Sequence, residues 1–432
     1  MKKIILTLLF IPIFFQDVFA EKLSGALLEA YKNNPELNAE RENLKVSKED
    51  LNISKSEFLP SVTLIGSKSQ EDTEKLTDRS GTNTTITNVD PKTKSIIIEQ
   101  KLFQGFAGVA GVKKNRIGLI LAEAKLLKTE QEVLYKAIEA YLGLVFSNEK
   151  LTINKKNVNL FERTAETARA RLERGQITLA DLAQSQSSLA GAEASFILAK
   201  NEVVTAKLTY EKIIGKINDI NNLDKESDIN FEIPNNLNKA IEISKNNNPD
   251  LIISKLEYEQ SEKDVTIAAA ELSPSATLSV KSSKTDDLSS TIDEQDKDTI
   301  TATVSWPLFK GGKNIASLKK SKNLKNKKKL LLNNVIKSND ANVASAWSSF
   351  QSSKSLLDSV KFQVQAAEIA NEGITEEYES GRGRSTQDMM QSNSALLSAK
   401  VSLVESERNY LLSQFKLLQV IGLLKNDYLK IQ

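Results

Sequence analysis

Apolar residues recur at three- and four-residue spacing through most of this chain and at two-residue spacing in a few short stretches, a pattern that predicts long helices joined through strands. From Gly105 to Arg174 there is no proline, and Ile117, Ile120, Ala124, Leu127, Leu134, Ile138, Tyr141 and Val145 keep coiled-coil spacing, with Gln131 as the polar interruption. A second seam of Leu151, Val158, Phe161, Ala165, Ala168 and Leu172 continues in shifted phase, which predicts a change of partner or supercoil near 144–148. Roughly 70 residues at ~1.5 Å each make about 100 Å of helix, so this segment needs lateral neighbours. Strand periodicity is clearest where Ile300, Ala302, Val304 and Trp306 alternate with Thr301, Thr303 and Ser305. That alternation predicts a sheet with one apolar and one polar face.

Proline, excluded from helix interiors, marks the boundaries, and its settings recur in register. Asn33-Asn34-Pro35-Glu36-Leu37 is echoed by Asn247-Asn248-Pro249-Asp250-Leu251, and Leu59-Pro60-Ser61 by Ser273-Pro274-Ser275, both at an offset of 214. Leu102-Phe103-Gln104-Gly105 matches Leu308-Phe309-Lys310-Gly311, and Arg174-Gly175 matches Ser380-Gly381, at an offset of 206. One internal duplication therefore covers nearly the whole chain. The expected organisation is a first repeat over 21–215, a linker rich in Asn and Asp over 216–238, a second repeat over 239–425 and a polar tail over 426–432. Each repeat reads as helix, strand, loop, strand, very long helix, turn, long helix. The strands are expected at about 61–69 and 95–103 and at about 275–281 and 299–308, with a polar loop over 70–92. The fold class is mainly α with a β-strand contribution.

Pattern alone leaves two readings of the strands open, a small soluble sheet covered by helix and a set of membrane crossings. Each antiparallel pair sends both its helices off one end, where Phe58, Phe103, Phe106, Trp306 and Phe309 gather like an interfacial girdle. Four strands of about ten residues have the length of a tilted crossing yet cannot close a barrel. A membrane strand cannot leave edge hydrogen bonds unmade, so the membrane reading requires several copies.

Composition narrows the chemistry. Lys2 and Lys3, the apolar run Ile4 to Phe15 and the Val18-Phe19-Ala20 site predict a secretory signal peptide over 1–20. The chain has neither cysteine nor histidine, which removes disulfides, thiolate or imidazole metal sites and Ser-His or Cys-His catalysis. No cofactor and no enzymatic activity are expected. A net charge of +2, with no basic domain, argues against nucleic acid as a partner. The small residues Gly105, Gly108 and Gly111 lack the ending of a phosphate loop and suit a strand turning into a closely packed helix. Lys319, Lys320, Lys322, Lys325, Lys327, Lys328 and Lys329 read either as a solvated face or as a surface for anionic lipid head groups.

Asn-Pro-Glu-Leu, Leu-Pro-Ser-Val, Leu-Phe-Gln-Gly, Gly175 followed by Asp181, and their ordered repeats resemble the TolC family of outer-membrane efflux and secretion channels, over essentially the whole mature chain. The resemblance implies a homotrimer with one twelve-stranded barrel in the outer membrane of a Gram-negative bacterium, continued by a helical periplasmic tunnel. It implies as partners a periplasmic adaptor, an inner-membrane pump or ABC transporter, and outer-membrane lipid. Carried over by position, the adaptor-docking tips are Arg174, Gly175 and Gln176 with Ser380, Gly381 and Arg382, and the periplasmic gate involves Asp181, Tyr378 and Asp388. The usual place of the gate arginine holds Gly383, with Arg382 and Arg384 on either side. The implied function is a passive exit duct opened by its partners. The alternative is a soluble periplasmic coiled-coil adaptor or scaffold without a pore.

Overall fold

A computed structural model of the chain describes residues 22–430 apart from 75, 78–79, 81–82, 85–86, 218, 226–227, 290 and 381–382. The expected signal peptide lies outside the described residues. The first repeat runs α1 (Leu23–Asn33), α2 (Pro35–Ser56), β1 (Ser61–Lys68), β2 (Glu71–Thr73), β3 (Leu76–Thr77), β4 (Asn83–Thr84), β5 (Thr87–Val89), β6 (Lys92–Gln104), α3 (Ala107–Glu173) and α4 (Leu179–Ile213). The second runs α5 (Leu237–Asn247), α6 (Pro249–Ala270), β7 (Ser275–Ser289), β8 (Ile292–Ser305), α7 (Lys313–Glu379) and α8 (Thr386–Val420), with a last turn α9 (Asn426–Leu429). Corresponding helices have equal lengths of 11, 22, 67 and 35 residues, so the duplication read from the motifs extends to every major helix.

Local chemistry sets the breaks. The Asn34 side-chain oxygen accepts from the Glu36 and Leu37 backbone N–H groups, and Asn248 does the same for Asp250 and Leu251. In each repeat the proline therefore opens α2 or α6 at a position where a missing N–H costs nothing. No helix among the described residues is long and apolar enough to cross a membrane.

The chain divides into two compact units. One comprises 39–128 and 248–340 and carries the sheet; the other comprises 22–38, 129–247 and 341–430. In the sheet unit the antiparallel order is β1-β6-β7-β8, so β6 joins the second repeat's hairpin directly. The expected strands are right in place and short in extent: β7 and β8 have 15 and 14 residues. Their ends are polar by sequence, yet they stay paired, with Lys284 opposite Asp296 and in an ion pair with its diagonal neighbour Glu294. β8 also stops at Ser305, two residues before Pro307, rather than continuing to 308. The stretch 70–92 is not an open loop but extends the hairpin through the β2–β5 and β3–β4 pairs.

In the other unit Leu134, Ile138, Leu142, Leu144, Tyr210, Phe415, Leu417 and Leu418 are buried. The expected α3 seam holds here, but Ile120, in the sheet unit, is exposed. The inter-repeat segment is a strap rather than a slack linker. Tyr141 Oη donates to the Asp224 carbonyl at 2.9 Å and accepts from its N–H, and Phe231 packs on Phe415 with centroids 5.0 Å apart. Lys225 Nζ lies 2.9 Å from Glu149 and 2.6 Å from Glu407, joining α3 to α8. Burial alone pulls the Lys225 pKa down, but hydrogen bonds to Glu407 and Glu149 outweigh it and the net shift is upward.

Candidate functional site

Two places carry the functional expectations, one in each unit. In the sheet, Val62, Ile98, Val280 and Ile300 form a single row across all four strands. Their exposures are 68, 40, 37 and 75 %, so one apolar face lies open from edge to edge. Leu64 and Ile96 precede this row, and Leu278 with Ala302 and Ala276 with Val304 follow it. From Ile96 to Phe103 the band is seven steps, about 23 Å at ~3.3 Å per residue, close to the ~25 Å of a barrel's lipid-facing belt. On the same face Lys94, Lys284 and Asp296 end the band. The opposite face presents Thr63, Glu99, Ser279, Lys281, Thr299 and Thr301, polar groups suited to water. Among the described residues β1 and β8 each have one strand partner, leaving two open edges.

The girdle residues all sit at the helix end of these strands. The Phe103 and Phe106 rings meet edge to face with centroids 5.5 Å apart, and Trp306 Nε1 donates to the Leu272 carbonyl at 3.1 Å. Phe58 lies over Gly108, and Phe309 is 85 % exposed. Phe106 has φ +70°, a left-handed conformation, beside Gly105 at +58°. In the second repeat the same two positions are Gly311 and Gly312, which adopt it without strain. Gly105 cannot be larger, because a Cβ there would meet Ser273 Cβ at 2.6 Å and the Ala270 carbonyl oxygen at 2.9 Å.

The second place is the pair of hairpin turns. At the first, Gln176 N–H donates to the Arg171 carbonyl and Gly175 N–H to the Leu172 carbonyl, with Gly175 at φ +69°. This pair of hydrogen bonds closes the end of α3 as glycine allows. Arg174, Gly175 and Gln176 are exposed. Thr178 then caps α4, and Asp181 closes a capping box, its Oδ2 accepting from the Thr178 N–H and hydroxyl, both at 2.8 Å. The second turn repeats the design: Ser385 caps α8, and Asp388 Oδ2 accepts from its N–H at 3.0 Å and hydroxyl at 2.9 Å. Both carboxyls are held below the usual carboxylate range, first by the backbone N–H of the cap and then by its hydroxyl.

Of the expected gate set, Asp181 is bonded to Thr178, and no hydrogen bond between it and Tyr378 is found among the described residues. Tyr378 is buried with Phe161, Ala192, Met389 and Met390, its hydroxyl 3.3 Å from Thr386 Oγ1. The cation facing it is Arg171, 4.4 Å from the ring centroid, a residue the sequence reading missed. At the repeat offset of 206 the counterpart of Arg171 is Glu377, so the duplication does not point to it. Arg384 Nε donates to Glu377 at 2.6 Å, and Ser380 Oγ to the Glu377 carbonyl at 3.2 Å. Gly381 and Arg382 lie outside the described residues. Close by, Asn371 Nδ2 donates to Asn393 at 2.7 Å, a buried polar link between α7 and α8.

A family model described as outer membrane efflux protein matches residues 26–216 and 240–423. The chain is 27 % identical over 419 residues to the outer membrane efflux protein BepC of Brucella suis, covering 96 % of this chain and 89 % of BepC. It is 20 % identical over 422 residues to the alkaline protease secretion protein AprF of Pseudomonas aeruginosa, covering 96 and 87 % of the two chains. Among solved structures, the Campylobacter jejuni outer membrane channel CmeC superposes with a TM-score of 0.81 at 17 % identity, over 93 % of this chain and 85 % of that one.

Proposed function

Because the chain belongs to the outer membrane efflux protein family, we propose that three copies join their open sheet edges into one twelve-stranded barrel that serves as a passive exit duct. The chain is an outer-membrane channel component of efflux or type I secretion. The observation that carries the trimer is the sheet itself, four strands with an apolar face exposed throughout and an unpaired edge at either side. In a bilayer those edges must be hydrogen-bonded, and a further copy is the only donor of the same geometry. Exposed apolar residues at heptad spacing, Ile197 and Val204 on α4 and Phe362 and Ile369 on α7, give the neighbouring copies helical surfaces to cover.

In this reading the hairpin turns are the closed end of the duct. Arg174, Gly175 and Gln176, with Ser380, Gly381 and Arg382, meet a periplasmic adaptor, and an inner-membrane pump or ABC transporter supplies the energy. Arg171 and Tyr378 hold the two hairpins of one copy together, and Thr386 anchors the Tyr378 hydroxyl within the second. Arg384, tied to Glu377, and Asp388 stiffen the second turn, and Asp181 the first. Opening means separating the hairpins at the Tyr378 cluster while each capped turn stays intact. The test is membrane fractionation followed by planar-bilayer recording. A heat-modifiable trimer in the outer membrane with a small resting conductance is expected, and recovery as a soluble monomer would return the reading to a periplasmic scaffold.

A further inference from the structure

We propose that the first turns of α3 and α7 form a basic collar that binds the anionic phospholipid head groups of the leaflet next to the girdle. The inference rests on the membrane reading of the sheet. Between Lys313 and Lys337 the chain carries nine lysines and no carboxylate. Two of them are neutralised from α6, Lys328 by Glu257 at 2.7 Å and Lys325 by Glu262 at 4.0 Å. Lys313, Lys319, Lys320, Lys322, Lys327 and Lys329 are exposed and have no carboxylate partner among the described residues.

The duplication shows which part of this charge is placed rather than scattered. Lys319, Lys320 and Lys322 correspond at an offset of 206 to Lys113, Lys114 and Arg116, so the same basic triad follows both strand pairs. Lys114 is paired with Asp264 at 2.7 Å, whereas Lys113 and Arg116 are exposed. Both triads begin six residues into their helices, about 9 Å along the axis. A head-group layer is roughly 5–8 Å deep on each side of the hydrocarbon. Helical side chains tilt toward the helix N-terminus, and α3 and α7 both start at the strands, so these cations lean toward the girdle of Phe106 and Phe309. Aromatic rings at the hydrocarbon boundary and lysines just below them are the arrangement that an anionic lipid surface rewards. A solvated face would need neither the repeat nor the absence of acids.

The experiment compares the full mature chain with the K319E/K320E/K322E variant in nanodiscs of phosphatidylcholine alone and with added phosphatidylglycerol, reading retained lipid by native mass spectrometry and melting by heat-modifiability. Each lysine near an anionic surface contributes roughly fivefold in affinity. Preferential retention of phosphatidylglycerol by the native chain, reduced at least tenfold in the variant and at 1 M salt, is the expected result. Should the charge swap fail to assemble, K319Q/K320Q/K322Q is read in the same way. Equal retention in native and variant protein overturns the proposal. So does stabilisation by free inorganic phosphate in phosphatidylcholine discs, which would make this a small-anion site. A change in ion selectivity with unchanged lipid preference would place the lysines in the bore and also overturns it. Channel conductance of the native chain, recorded in parallel, separates failure of the collar from failure of the barrel reading.

Discussion

The guanidinium of Arg171 on α3 lies 4.4 Å from the centre of the Tyr378 ring on α7, just short of the two turns. Tyr378 is buried, so the ring that the cation faces is fixed by Phe161, Met389 and Met390. A cation over an aromatic face contributes ~0.5–2 kcal/mol, and here it links the two hairpins of one chain. Arg171→Ala is expected to raise resting conductance in planar bilayers several-fold, whereas Tyr378→Phe keeps the ring and should do less. A double-mutant cycle of Arg171→Ala with Tyr378→Leu should show coupling; strict additivity would remove the link.

The capped turns respond to acid. Asp181 and Asp388 have depressed pKa values, so the turn stabilisation they give is present above the ordinary carboxylate value near ~4 and is lost as pH falls through the lower folded value. Hydrogen exchange at Leu179–Ser185 and Thr386–Met390 should accelerate relative to the helix interiors over that window. Asp181→Asn with Asp388→Asn should flatten the response, and Ser385→Ala should cost about 1 kcal/mol of local stability at neutral pH. An unchanged pH profile in the double asparagine variant would assign the response elsewhere.

The strand-to-helix turn stores strain in one repeat only. Phe106 occupies a left-handed conformation that its counterpart Gly312 adopts freely, a cost of ~1–3 kcal/mol. Phe106→Gly should therefore raise the melting temperature in detergent while weakening retention in the membrane, where the ring serves as an anchor. Gly105→Ala meets both the positive φ and the Ser273 contact and should impair assembly. A Phe106→Gly variant less stable in both settings would contradict the strain.

The two sheet faces should separate under charge. Val280→Lys places an ammonium on the apolar face and should cost ~2–4 kcal/mol, read as lost trimer in the outer membrane. Ser279→Lys, one residue away on the polar face, should leave assembly near normal and shift ion selectivity. Equal effects would mean that the faces are not lipid and water.

Much of this architecture was legible because prolines and strand periods are local signals. Pro35, Pro60, Pro249 and Pro274 each sit at a boundary, and the motif offsets matched helices of equal length. The strand extensions were hidden because their charges look solvated until Lys284 stands opposite Asp296 across a rung and pairs with its diagonal neighbour Glu294. The β2–β5 pair was hidden by its Thr and Asn content, which reads equally well as loop. At the turns, Thr178 and Asp181 spell a capping box, and in the structure the Asp181 carboxylate is bonded to its own cap. Arg171 went unread because its contact joins α3 to α7 across more than two hundred residues, a tertiary fact that no local pattern contains.

The barrel of three copies is tested most directly by cysteine pairing, for which a chain without native cysteine is an ideal background. Within one copy β1 and β8 are separated by β6 and β7, about 14 Å at ~4.8 Å per strand, beyond the reach of a disulfide. Single cysteines scanned along Ser61–Lys68 and combined with cysteines along Ile300–Ser305 should, on oxidation in cells, give covalent dimers and trimers in the outer-membrane fraction at matching registers. Monomers alone at every register, with the chain recovered in the soluble fraction, would contradict the account.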